Sequence, residues 1–189
     1  MPGQHAHANS AVMQVQKRNN MAGKLVVLIA GTGQGKSTKI KALIKNAPCL
    51  VWDVNGEYGE LEFDANLPRS RFFSNNIKDF LSIVPKKHGG TICVFEEATG
   101  FFAGAASKET KQIIVGKRHP VDLGGRNLLF VFHTILSVPP FLLETADTII
   151  LGRTGDEPNR VRTKSSKLYP VFIKMQKAPK YTFFNFKNT

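Results

Sequence analysis

Gly31, Gly33 and Gly35 stand at every second position around Thr32 and Gln34, and Lys36, Ser37 and Thr38 follow without a gap. Glycine at such spacing lets successive backbone N–H groups turn toward one point and cradle an anion. A lysine directly after the loop supplies a cation, and the next hydroxyl supplies a hard oxygen ligand. This is the pattern of a phosphate-binding loop, Walker A, with Ala30 in the first glycine place. In that pattern Lys36 lies along the β- and γ-phosphates of a nucleoside triphosphate, and Ser37 holds the Mg2+ that bridges them. A glycine-rich turn beside a chance lysine is the bland alternative. The order of strand, loop, lysine, hydroxyl and helix argues against it.

A second group of residues suits the same chemistry. The apolar run 91–95, TICVF, delivers Glu96 and Glu97 at its end. A strand that ends in carboxylates is the Walker B design: the first reaches the Mg2+ shell and the second polarises an attacking water. Glu96 stands where aspartate is usual, and its longer side chain is suited to act through a metal-bound water. The run 127–133, NLLFVFH, gives up its apolar character at His133. A polar residue there is placed to sense a γ-phosphate; a satisfied core histidine is the competing reading. Asp53 and Glu57 follow the run 49–54, CLVWDV, either beside the phosphate loop or in a surface turn.

The elements that must position these residues are short apolar runs separated by helical spacing. Residues 25–29 feed the loop, and residues 36–46 read as a helix with Ile40, Leu43 and Ile44 on one face, closed by Pro48. Residues 71–74 read as a minor strand, 76–84 as a short helix, 100–107 as a mobile connection and 108–119 as a helix stopped by Pro120. Residues 141–145 read as a helical turn and 147–152 as the last strand of the series. Residues 169–175 and 181–186 read as two further strands joined by a turn at 177–180. The expected fold is α/β: a RecA-like P-loop NTPase core with a mostly parallel sheet flanked by helices, and a C-terminal β-hairpin extension. Residues 1–22 read as a flexible arm, 23–157 as the core and 158–189 as a basic extension packed on it. His5 and His7 belong to a solvated tail rather than a metal site.

The length of 189 residues suits one domain. With 26 Lys+Arg against 14 Asp+Glu, the net charge of +12 favours a polyanionic partner, nucleic acid first and acidic membrane surface second. Half of that excess lies beyond residue 153, where eight Lys/Arg face Asp156 and Glu157 alone. Cys49 and Cys93 sit in or beside apolar runs and suit buried thiols in a reducing compartment. No apolar run reaches the ~18 residues of a membrane span and no signal-peptide pattern opens the chain, so the expectation is a soluble, intracellular protein.

Several stretches together resemble the HerA/FtsK-type ATPases that pump double-stranded DNA: GTGQGKST at 31–38, WDVNGEYG at 52–59, ICVFEEA at 92–98, KRHPVDLGGRNLLFVFHT at 117–134 and VPPFLLETADTIILGRTGDE at 138–157. The resemblance implies ATP as nucleotide and Mg2+ as cofactor. It implies Lys36 and Ser37 on phosphate and metal with residues 31–38 as the nucleotide cradle, Glu96 on metal, Glu97 as base and His133 as sensor, where the family often has glutamine. Arg118 matches an arginine proposed to reach a neighbouring subunit's γ-phosphate, and Arg153 is a second candidate, which implies a homo-oligomeric ring. Small size and the lack of accessory domains resemble the genome-packaging ATPases of viruses with an internal membrane. That implies double-stranded DNA and capsid or vertex proteins as partners, in the host cytoplasm or with the virion. A nucleotide-gated nucleic-acid or partner-binding protein that does not translocate is the alternative.

Overall fold

The computed structural model describes residues 23–64, 66–73, 77–84, 90–102, 114 and 125–188. Seven strands form one sheet in the order β3-β2-β4-β5-β1-β6-β7. They are β1 (Leu25–Ile29), β2 (Cys49–Trp52), β3 (Arg69–Phe72), β4 (Ile92–Phe95), β5 (Asn127–Phe132), β6 (Thr148–Leu151) and β7 (Phe184–Lys187). The first six are mutually parallel, and β7 runs antiparallel on β6, with Ile149 opposite Phe186. Parallel strands need crossover connections, which cover both faces of the sheet and bury its central strands. That is why β2 and β5 are buried at every position and read in sequence as unbroken apolar runs.

The pleat sorts these runs onto two cores. In β5, Leu128, Phe130 and Phe132 face one core while Leu129 and Val131 face the other. Helix α1 (Lys36–Ile44) covers the second face with Ile40 and Ile44. The first core receives α2 (Ile77–Ile83) through Phe80 and Leu81, and α4 (Pro140–Thr145) through Leu142 and Leu143. Short α3 (Ala98–Phe101) follows directly on the β4 turn, and Ala98 lies in the same core. Phe95 stacks on Phe130 at 4.4 Å between centroids, which fixes the ends of β4 and β5 side by side.

The C-terminal part differs from expectation. Residues 169–175 were expected as a strand on the evidence of Val171, Phe172 and Ile173, but they form a helix, α6 (Tyr169–Gln176). Two features outweigh the β-branched run. Pro170 sits in the first turn, where its missing N–H costs nothing. Leu168, Phe172 and Met175, at i, i+4 and i+7, all drop into the first core. The antiparallel partner of the last strand is therefore β6. Residues 158–164, expected only as the start of the basic extension, form α5 (Pro158–Lys164), with Pro158 in its first turn and the Glu157 carboxylate accepting from the N–H groups of Asn159 and Arg160 at 3.0 and 2.9 Å. Val161 of α5 joins the same core as Ile149 and Leu151 of β6.

Cys49 and Cys93 are buried in neighbouring strands. Among the described residues no helix is long and apolar enough to cross a membrane. The arm at 1–22 and most of the helix expected at 108–119, Arg118 included, lie outside the described residues; Ile114 is helical and buried.

Candidate active site

In an open parallel sheet the loops beyond the strand carboxyl ends share one rim, and that rim is where ligands bind. Here it gathers the loop after β1, Asp53 after β2, Glu96 and Glu97 after β4, His133 after β5 and Gly152-Arg153 after β6. A cavity of about 470 Å³ opens there, lined by Thr32, Gly33, Gly35, Lys36, Ser37 and Thr38 on one side and by Asn55, Glu57, Glu96, Glu97, His133 and Tyr181 on the other. Its size falls in the usual range for small-molecule sites, roughly 300–1,000 Å³.

The loop has the backbone that its glycines make possible. Gly33 and Gly35 have φ of 70° and 80°, and Gly35 is the N-cap of α1, so the positive end of a nine-residue helix opens on the cavity. The Gly31 N–H donates to the Arg153 carbonyl at 2.8 Å, and Gln34 N–H donates back to the Gly31 carbonyl at 3.3 Å. Gln34 is not among the lining residues; its part is in the turn itself.

Lys36, His133 and Glu97 form one line. The Lys36 ammonium donates to the Gly31 carbonyl at 3.3 Å and meets His133 Nδ1 at 3.1 Å. His133 Nε2 meets the two Glu97 carboxylate oxygens at 2.7 and 2.9 Å. An ammonium only donates, so Nδ1 must accept, and the neutral ring carries its proton on Nε2, aimed at Glu97. Burial holds the Lys36 pKa below its ordinary value, against the opposing pull of Glu97, Glu96 and Glu57. Glu97 has φ of 57°, in the left-handed region that a glutamate rarely adopts. Strain of that kind persists only where the surroundings over-determine it, and here β4 ends and α3 begins on either side of the residue.

Glu96 is held differently. Its side chain is buried, Oε1 accepts from the Tyr58 hydroxyl at 3.2 Å, and Oε2 is buried with no hydrogen-bond partner. Burial first, then the nearby charges of Glu57, Asp53 and Glu97, push its pKa up to about 7, while the Tyr58 hydrogen bond works the other way. Burial also raises the Tyr58 phenol, which keeps it a donor. A buried carboxylate oxygen without a donor, beside Ser37 in the same cavity, fits a divalent cation. Among the described residues no three His, Cys, Asp or Glu side chains converge as a metal cage. Mg2+ needs no such cage, since it is commonly held by one or two protein oxygens together with substrate phosphates and water.

Asp53 does not line the cavity. It is 1% exposed and accepts from the N–H groups of Glu57 and Tyr58 at 2.9 and 3.2 Å, with Arg71 of β3 at 3.3 Å. Its carboxylate thus ties down the 53–58 turn, and that turn delivers Glu57 to the cavity wall and Tyr58 beneath Glu96. The sequence reading missed Tyr58. The available signal was an acidic residue at a strand end, able to accept from N–H groups of the loop that follows, with an aromatic five positions on.

Arg153 contributes its carbonyl to the loop, and its guanidinium donates to the Ala178 carbonyl just after α6. Asp156 accepts from the N–H groups of Ile135 and Leu136 at 2.7 and 3.3 Å, fixing the turn that follows His133.

No protein-family model matches the sequence, and no curated protein does. Solved structures do match. The genome-packaging NTPase B204 from Sulfolobus turreted icosahedral virus 2, in complex with ATP-gammaS, aligns with a TM-score of 0.73 at 20% identity, over 88% of this chain and 92% of that one. The chain shares the fold of B204. The same NTPase with AMPPCP aligns with a TM-score of 0.69 at 21% identity, over 88% of this chain and 93% of that one. B204 from Sulfolobus turreted icosahedral virus, described as a DNA-packaging ATPase, aligns with a TM-score of 0.70 at 19% identity, over 88% and 94% of the two chains. The mostly parallel α/β sheet expected from the sequence is thus matched by the architecture of B204.

Proposed function

We propose that this chain is an ATP-hydrolysing motor that translocates double-stranded DNA, working as a viral genome-packaging ATPase in the host cytoplasm at a capsid vertex. The observation that carries the reading is the line Lys36–His133–Glu97 at the mouth of the phosphate loop. Glu97 accepts the proton of the attacking water. His133 holds that carboxylate through Nε2–H and presents Nδ1 to Lys36, so the base and the phosphate-binding lysine are kept in one geometry. Within residues 31–38, Thr32, Gly33, Gly35, Lys36, Ser37 and Thr38 line the cavity and bind the triphosphate with backbone N–H groups and the α1 N-terminus. Ser37 and Glu96 would hold Mg2+, which neutralises phosphate charge as it develops.

An arginine from a neighbouring subunit would complete the site, contributing on the order of 10³-fold or more to the rate. The Arg153 guanidinium is already engaged by Ala178, which favours Arg118 for that task and a ring as the working assembly. The grip on DNA is assigned to the C-terminal cations, of which Arg160, Arg162, Lys167, Lys174, Lys177 and Lys180 are exposed. The fold shared with B204 supports the same reading.

The test is ATP turnover by the full chain with and without long duplex DNA. Glu97→Gln should lose roughly 10²-fold or more of turnover while still binding ATP. Wild-type turnover by that variant would remove Glu97 from the role of base. Long duplex DNA should stimulate hydrolysis, and its binding should weaken with salt by about 0.9 in the log–log slope for each phosphate neutralised. ATP-dependent DNA binding without such stimulation would replace the motor with a nucleotide-gated binding protein.

A further inference from the structure

A second cavity, about 480 Å³, lies against the flank of α1 and is lined by Gly35, Thr38, Lys39, Ala42, Tyr181 and Phe183. It shares Gly35, Thr38 and Tyr181 with the phosphate cavity, so the two meet at the N-terminus of α1. Its lining is aromatic and aliphatic apart from Thr38 and Lys39. Phe183 is seated firmly: a Cβ built on Gly152 would stand 3.1 Å from its Cε1, and Lys39 Nζ lies 5.8 Å from its ring centroid. Tyr181 is the reverse. It is 64% exposed, has φ of 63°, and presses its ring on Gly35, where a Cβ would stand 2.8 Å from Cδ1. A large aromatic held open to solvent in a left-handed conformation, directly on the phosphate loop, calls for a ligand with an apolar face.

Resting on the nucleotide reading above, we infer that Tyr181 and Phe183 wall a nucleobase site, in which the base of a bound nucleoside triphosphate stacks on the Tyr181 ring while its phosphates lie in the loop. Base–aromatic stacking does not distinguish one base from another, because every base has a π-face. Among the described residues, no carboxylate or amide side chain lines this cavity to read a base edge. The site therefore favours nucleotides over bare polyphosphate without strong selection between adenine and guanine.

Isothermal titration of the full chain with ATP, GTP and inorganic tripolyphosphate tests this. Tyr181→Ala should weaken ATP and GTP roughly 5- to 150-fold and tripolyphosphate far less; Tyr181→Phe should keep ATP affinity within about threefold. In the unaltered chain ATP and GTP should agree within about tenfold. Equal weakening of ATP and tripolyphosphate by Tyr181→Ala, unchanged ATP affinity, or tighter binding of both, as expected of a plug, would each overturn the inference, as would GTP binding ~100-fold weaker than ATP. If the unaltered chain binds tripolyphosphate but gains nothing from the nucleoside, the base site fails while the phosphate loop stands. Failure to bind any of the three would sink the nucleotide reading and this inference with it.

Discussion

Glu96→Gln should stabilise the nucleotide-free chain, and only in one pH range. The ordinary glutamate pKa of 4.5 applies to the unfolded chain, whereas the folded chain holds Glu96 near 7, chiefly by burial. Between those values the unfolded state has released a proton that the folded state keeps, so stability falls as pH rises from 4.5 to 7 and then levels off. At ~1.36 kcal/mol per tenfold, the ionised carboxylate costs about 3 kcal/mol at pH 8. A neutral amide of the same shape avoids that cost, retains an acceptor for the Tyr58 hydroxyl and leaves no buried charge. Urea unfolding at pH 8 should therefore show Glu96→Gln more stable than the unaltered chain by about 2–3 kcal/mol, with a melting temperature higher by roughly 4–12 °C for a chain of this size. At pH 4 the two should coincide. Millimolar Mg2+ with ATP should raise the melting temperature of the unaltered chain by more than that of the variant. Equal stability at pH 8, or a less stable variant there, would refute the account of a buried, unpaired carboxylate kept for a cation.

The remaining predictions concern the residues around it. His133→Ala should lower kcat by about 10²-fold or more with little change in KM, whereas His133→Gln, whose amide can accept from Lys36 and donate to Glu97, should restore most of the loss in steady-state ATPase assays. Asp53→Asn leaves Arg71 without its buried partner and should cost about 3 kcal/mol in urea unfolding, together with weaker Mg2+·ATP binding as the turn that carries Glu57 and Tyr58 loosens.

The core of this fold was legible because a parallel sheet buried on both faces leaves unbroken apolar runs, and each of β1, β2, β4, β5 and β6 is one. β3, with the sequence RSRF, was placed two residues late, since an edge strand carries little apolar signal. α5 and α6 were missed for separate reasons. At α5 the Glu157-Pro158 start signal was present and overlooked, and at α6 the run Val171-Phe172-Ile173 favoured a strand until packing decided otherwise. Within the site, Lys36 announced itself by its place directly after the glycine loop, and Glu96, Glu97 and His133 by their positions at strand ends. What sequence does not encode is the direction a side chain takes: Asp53 points down into the turn, and the Arg153 guanidinium points to Ala178. Tyr181 came from a segment 145 residues after Lys36, brought back only because β7 pairs with β6.

That pairing also settles how the sheet stops. Its two outer strands, β3 and β7, are each four residues long. β3 carries Arg69 and Arg71, and β7 carries Lys187. Short edges resist strand addition by a second chain, since pairing would form few hydrogen bonds, and Glu62 already bridges Ser70 on the β3 side. A chain of high net charge with blunted edges is poorly suited to forming fibres. Contact between copies of this chain would then run through helices and loops rather than through paired sheet edges.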